Sequence, residues 1–230
     1  MCFSAEADFV GAAVAGAIGV ATLREPHETR ELPLALLPLG FALHQLAEGV
    51  VWLDLEGGAP KDVGNVALYA YLIYAWALLP LLIPLSVLLV EPLMARRRWI
   101  GWLLALGTIA GGYLTWSLMT QQVTARIVGH VIEYGGAGSN ADAVTVLYVV
   151  ATCGAFLLSS HRKIVIFGVF NLAAVLVLVW VQAEALTSLW CAWAAILSLL
   201  IYLHFADRRR ITEARDGAFM VKGRRAGLLP

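Results

Sequence analysis

The sequence predicts an all-α, polytopic membrane protein of seven transmembrane helices, with the N-terminus outside and the C-terminus cytoplasmic. Three observations carry this. Of 230 residues, 60% are hydrophobic and 14% are charged, against about 25% charged in a soluble domain. So small a polar share cannot coat a globule. The apolar residues gather into seven stretches, each near the ~20 residues that a helix needs to cross ~30 Å of hydrocarbon. The bases, finally, fall almost entirely on one side of those stretches. This composition excludes a soluble enzyme, a disordered chain and a nucleic-acid binder. Sixteen Lys and Arg balance sixteen Asp and Glu, so net charge names no partner beyond the lipid bilayer. Three cysteines without paired spacing exclude a disulfide scaffold and a zinc ribbon.

The expected spans are Met1–Leu23, Leu32–Leu53, Asn65–Val90, Trp99–Met119, Asp142–Ser160, Lys163–Gln182 and Ala185–Ala206. Residues 1–206 then form the bundle, and 207–230 a basic cytoplasmic tail suited to anionic lipid. The first span is the shortest in apolar content. Its run Phe9–Leu23 borrows Met1–Asp8, which carries Glu6 and Asp8. A signal peptide would open with bases and end at a small-residue cleavage site. Here acids come first and Leu23-Arg24-Glu25-Pro26 follows, so a span is expected. Its Gly11, Ala12, Ala15, Gly16 and Gly19 permit close packing inside the bundle or in a homo-oligomer. Pro80 and Pro84 each remove a backbone hydrogen bond, so the third span should bend there. Short connections make sequential helices antiparallel neighbours.

Orientation follows from the bases, which stay cytoplasmic. With the N-terminus outside, all of the sixteen except Lys61 and Arg126 lie on the inner side. That split requires an odd number of spans, which supports the first one independently. The outer connections hold Glu6, Asp8, Glu48, Asp54, Glu56, Asp62, Glu133, Asp142 and Glu184. Such a face concentrates cations rather than anions. The one long connection, about residues 120–141, carries Val123, Ile127, Val131 and Tyr134 at helical spacing. It reads as an amphipathic interfacial or re-entrant helix on the outer surface. Gly135-Gly136-Ala137-Gly138-Ser139-Asn140 reads as a loop after it.

Polar side chains within a span are costly and turn toward protein or water. The second span supplies the leading candidates. Phe41, His44, Glu48 and Trp52 share one helical face. His44 and Glu48 lie four residues apart, about 6 Å along the axis. The pair suits a proton-accepting site or two positions of a metal shell, and the bland alternative is a satisfied contact between helices. Further polar stripes are Glu184, Ser188 and Cys191 in the seventh span, Asn65, Tyr69 and Trp76 in the third, and Thr145, Tyr148, Thr152 and Ser159 in the fifth. If these faces converge, the bundle holds an outward-facing polar pocket. Its expected ligand-binding residues are Glu48, His44, Glu184, Trp52, Tyr69, Ser188 and Cys191. If the outer segment folds over the mouth, His130 joins His44 and Glu48 as a metal ligand, and a divalent metal ion is the candidate cofactor. Cys2 and Cys191 share the outer side, where they either bond or pack as small apolar groups.

The opening Met1-Cys2-Phe3-Ser4-Ala5-Glu6-Ala7-Asp8-Phe9 resembles that of an uncharacterised bacterial family of seven-span membrane proteins with a domain of unknown function. Arg30-Glu31-Leu32-Pro33-Leu34 and Gln45-Leu46-Ala47-Glu48-Gly49-Val50-Val51-Trp52 are similar to its second-span pattern, and Ser188-Leu189-Trp190-Cys191 to its last. The resemblance implies a multi-pass protein of the bacterial inner membrane and supplies no reaction. The topology is also similar to that of alkaline-ceramidase-like hydrolases, whose last span carries a His-x-x-x-His pair that this chain lacks. The leading functional expectation is binding of a cation or small ligand in the outward pocket, for sensing or transport. The alternatives are a membrane-embedded, metal-dependent hydrolase acting on a lipid, and a non-catalytic accessory subunit of a membrane complex.

Overall fold

The computed structural model describes residues 4–136, 142–182, 193, 195 and 197–209, without the side chains of 142, 179, 181 and 182. It is mostly helical. Helix α1 spans Ala5–Thr22 and α2 spans Leu32–Leu55. Helix α3 runs continuously over Lys61–Val90 and α4 over Met94–Thr120. After a β-hairpin come α5, Asp142–Leu157, and α6, Arg162–Gln182. Residues 197–209 are helical and are called α7. Among the described residues, α1 to α4 are long and apolar enough to cross a membrane.

Helix α1 starts where the sequence offers a cap. Ser4 is extended and its Oγ accepts from the Ala7 amide at 3.3 Å. Glu6 and Asp8 then occupy the first turn, where the helix dipole favours acids. Gly11, Ala15 and Gly19 face α2 and are buried. At Gly19 an added Cβ would stand 2.7 Å from the Leu39 amide nitrogen, so only glycine admits this backbone approach. The small-residue stripe of the first span thus packs on α2.

The bend expected near Pro80 takes the form of a wide turn. Residues Ile73–Leu78 are π-helical, directly before the proline. Pro80 has no N–H to offer the Trp76 carbonyl, and the widened turn accommodates that loss. The Ala75 carbonyl in this turn accepts from the Tyr148 hydroxyl of α5 at 2.7 Å. Gly107 of α4 lies so close to α3 that a Cβ there would meet the Pro80 oxygen at 1.8 Å.

The outer segment is not a helix. Val123–Val128 (β1) and Val131–Gly136 (β2) pair antiparallel, with Arg126 opposite Glu133 and Val128 opposite Val131. The chain turns at Gly129, whose φ of 62° is the left-handed conformation that glycine adopts without strain. Gly135 and Gly136 belong to β2 rather than to a loop. Among the described residues the fold is thus mostly helical, with this two-stranded hairpin added to the expected helices. Val123, Ile127 and Val131 gave a helix-like spacing, but β-branched residues on both sides of a Gly turn favour strands.

Two apolar cores divide the bundle lengthwise. One joins Ala5, Val51, Trp52, Leu68, Tyr71, Leu118, Ile132 and Tyr134, and marks the hairpin end. The other joins Leu34, Phe41, Val87, Ile100, Phe156, Ile164, Ile201 and Phe205, and reaches the opposite, basic end. There Glu91 accepts from the Ser160 amide at 2.7 Å, from the Ser160 hydroxyl and from the Leu93 amide at 3.1 Å. Arg96 donates to the Ser159 carbonyl at 2.6 Å, and Arg97 to the Glu91 carbonyl at 3.2 Å. Glu31 accepts from the His27 amide at 2.9 Å and pairs with Arg208 of α7. Lys163 pairs with Asp207 at 2.5 Å.

Candidate functional site

The site is built on α2. Phe41, His44, Glu48 and Trp52, the face expected from spacing, are all buried. Gln45, beside that face, is fully buried too. Its Nε2 donates to Asp8 Oδ1 of α1 at 3.3 Å and to Glu48 Oε2 at 3.2 Å. Both carboxyl groups have 0% exposure. Two acids from two helices thus meet at one amide. The other oxygen of Glu48, Oε1, accepts from the Tyr134 hydroxyl of β2 at 3.1 Å.

Aromatic rings close the cluster. Tyr71 of α3 lies between His44 and Tyr134. Its centroid is 3.8 Å from the imidazole at an 11° interplanar angle, and 4.8 Å from the Tyr134 ring at 22°. Tyr74, from the π-helical turn, sits 5.2 Å from His44. Its hydroxyl passes over α2 at Gly40, where a Cβ would stand 2.2 Å from the oxygen. Among the described residues, neither ring nitrogen of His44 has a hydrogen-bond partner, although the side chain is 2% exposed. The same holds for Trp52 Nε1 and Ser117 Oγ, in buried side chains toward this end. An unmade hydrogen bond at a buried group costs about 1–3 kcal/mol. Such groups are normally completed by water or a ligand.

This arrangement suits a small hard cation or a proton. Buried charge persists only with compensation, and carboxyl, amide and phenol oxygens are hard donors. The π-faces of Tyr71 are already covered by His44 and Tyr134, so the rings form a wall rather than an open cage for an organic cation.

The sequence-derived candidates fall into three groups. His44, Glu48 and Trp52 lie together at the hairpin end. Tyr69 is 42% exposed on α3, and Tyr71 occupies the position expected of it. Asn65 is exposed as well, while Trp76 is buried. Helix α3 exposes Val63, Val66 and Ile73 while it buries Leu68 and Leu72, so hydropathy alone does not say which face meets protein. His130 stands exposed in the hairpin turn, whereas His44 is buried behind Tyr71. Among the described residues no three His, Cys, Asp or Glu side chains gather as a metal site, so His44, Glu48 and His130 do not form one. Glu184, Ser188, Cys191 and Cys2 lie outside the described residues. Of the fifth-span stripe, Thr145 is exposed, and Tyr148 and Thr152 are spent on backbone carbonyls.

Asp8, Gln45, Tyr71 and Tyr134 complete the cluster and were not singled out as ligands from sequence. Gln45 carried a signal, being an amide one residue from His44 and three from Glu48. Asp8 enters the sequence reading as the acidic flank of a short span and as one of the acids of the expected outer face.

The chain matches, over residues 1–217, the family described as "Family of unknown function (DUF6629)", and it belongs to that family. No curated protein and no solved structure matches it.

Proposed function

We propose that this is a seven-span protein of the bacterial inner membrane that binds a small cation or a proton at Asp8, Gln45 and Glu48, for sensing or transport. The observation that carries the reading is the shared amide: two fully buried carboxyl groups, from α1 and α2, meet at Gln45 Nε2. Ionisable groups within a bundle mark ion and proton pathways more often than they add stability. The hairpin end is taken as outer. Its two bases are occupied locally, Lys61 with Asp54 at 3.1 Å and Arg126 with Glu133 at 2.8 Å. The remaining described bases gather at the other end, as the positive-inside rule requires of a cytoplasmic face.

Two experiments test this. Purified protein is titrated with Na⁺ and Ca²⁺ by calorimetry, and proton uptake is followed with a pH dye in proteoliposomes. Wild type should bind or take up one of these ions, and Glu48→Gln should not. Identical traces for the two proteins refute the site. For sidedness, a cysteine engineered at Gly58 should react with an impermeant thiol reagent from outside, and one at Thr212 should not.

A further inference from the structure

The hairpin raises a separate question, because two strands alone are marginal in water. Its position must come from what it rests on. Strand β2 turns Ile132 and Tyr134 into the bundle, with exposures of 0% and 6%, and both belong to the core at this end. Strand β1 leaves Thr124, Arg126, Ile127 and Val128 exposed. The buried polar contact from β2 to α2 ends on Glu48 Oε1, an oxygen of the proposed site. The Tyr134 ring also covers Tyr71, which in turn covers His44. Lifting β2 would therefore free Glu48 Oε1 and uncover the outer face of Tyr71 in one motion, leaving His44 behind the Tyr71 ring.

We infer that the β1–β2 hairpin is the gate of the Glu48 site and that Tyr134 is its latch. This rests on the reading of Asp8, Gln45 and Glu48 as a cation or proton site. A hydroxyl donates more strongly to an ionised carboxylate than to a neutral carboxyl group. While Glu48 is ionised and open to Tyr134, the hairpin stays docked. When a proton or a cation takes Oε1, the latch weakens and the hairpin lifts. Among the described residues, Gln45 of α2 and Tyr134 of β2 bond Glu48, Asp8 of α1 shares the Gln45 amide, and His44 of α2 with Tyr71 and Tyr74 of α3 forms the adjoining ring stack. Arg126 and Glu133 pair with each other across the strands. Gly136, at φ 98°, closes the hairpin base. A Cβ there would meet the Gln122 oxygen at 2.1 Å, so this end of the strand pair is tightly fitted. The free end lies at Gly129.

Hydrogen–deuterium exchange of peptides covering 123–136, in the full chain in nanodiscs, tests the latch. Tyr134→Phe and Glu48→Gln are both near-isosteric, so folding should survive. Each should speed exchange of β2 amides about ten-fold at neutral pH, the effect of losing a charge-assisted hydrogen bond. In wild type, mild acidification should speed β2 exchange beyond the intrinsic pH dependence, and Glu48→Gln should abolish that increment. Calorimetry and dye uptake on the same samples separate the two claims. Ion binding lost in Glu48→Gln with β2 exchange unchanged overturns the latch and leaves the site. Wild-type protein that binds neither ion nor proton overturns both. Unchanged β2 exchange in Tyr134→Phe also overturns the latch.

Discussion

The two ends of the bundle hold similar side chains and use them in opposite ways. At the basic end, acids face donors from several segments. Glu91 receives Ser160 and Leu93, Glu31 receives His27 and Arg208, and Lys163 meets Asp207. Each contact ties a connection or a helix terminus to another element. At the hairpin end, Asp8 and Glu48 meet through the Gln45 amide deep in the bundle, and the nearby His44 imidazole makes no hydrogen bond among the described residues. The lesson is that a buried acid is structural when backbone amides and bases tie it to a connection or a helix end. It becomes a candidate for chemistry when it meets a second buried acid inside the bundle.

The largest expected effect breaks the basic end. Glu91→Ala leaves the Ser160 and Leu93 amides and the Ser160 hydroxyl without their acceptor. Hydrogen bonds to a charged group contribute about 1.5–3 kcal/mol each, and the expected loss is about 3 kcal/mol because solvent recovers part of it. The apparent Tm in detergent should fall clearly. A Tm equal to that of wild type would show that the network is not structural.

Acid should act on the same contacts. Burial raises the Glu91 pKa, but hydrogen bonds from Ser160 and Leu93 and the charge of His161 outweigh it. The carboxyl therefore titrates below its ordinary value of 4.5. A depressed carboxyl contributes stability that is complete above the unfolded value and is lost as pH falls through the folded one. Wild type should thus lose stability below about pH 4.5, and Glu91→Ala should show a flatter profile there. Parallel acid profiles would assign the loss to other groups.

Glu48→Gln should change stability with the opposite sign. Replacing a buried carboxylate by a neutral amide removes the cost of burying a charge, which offsets the weaker hydrogen bond from Tyr134. A glutamine also retains an oxygen for Tyr134. The same chemical change, acid to neutral, should therefore lower Tm at Glu91 and hold or raise it at Glu48. A large Tm loss in Glu48→Gln would make the hairpin end structural as well and erase the contrast.

The contrast also shows what the sequence made legible. Apolar length made the first four expected spans readable, and each matches a helix long and apolar enough to cross a membrane. The shared face of Phe41, His44, Glu48 and Trp52 was readable from spacing, and all four are buried. The partners were not. Asp8 is 37 residues from Gln45, and Tyr134 is 86 from Glu48. Spacing along one helix cannot report which neighbour arrives. Tyr69 and Tyr71 differ by two positions on a helix whose exposed face also carries Val63, Val66 and Ile73, so choosing between them needs the packing of α2 on α3. The hairpin reads as a helix because Val123 and Ile127, four residues apart, share a face in a strand as they do in a helix, while Val131 lies across the turn opposite Val128, on the other face. The Gly129 turn would have decided between the two periods.

The smallest effect concerns the outer face of that hairpin. Arg126 and Glu133 form a two-bond pair across the strands at 2.9 Å for each bond, but the arginine side chain is 70% exposed. Exposed pairs contribute about 0–1 kcal/mol and weaken with salt. Arg126→Gln should therefore change β2 amide exchange by less than about five-fold, and by less still at high ionic strength. The glutamine keeps a polar side chain on the strand and leaves the buried contacts of Ile132 and Tyr134 in place. If the hairpin is instead held by its surface charges, Arg126→Gln will loosen β2 as much as Tyr134→Phe does, and salt will loosen wild type in parallel. The docking energy would then belong to the exposed face, and occupancy of Glu48 would have no purchase on the hairpin.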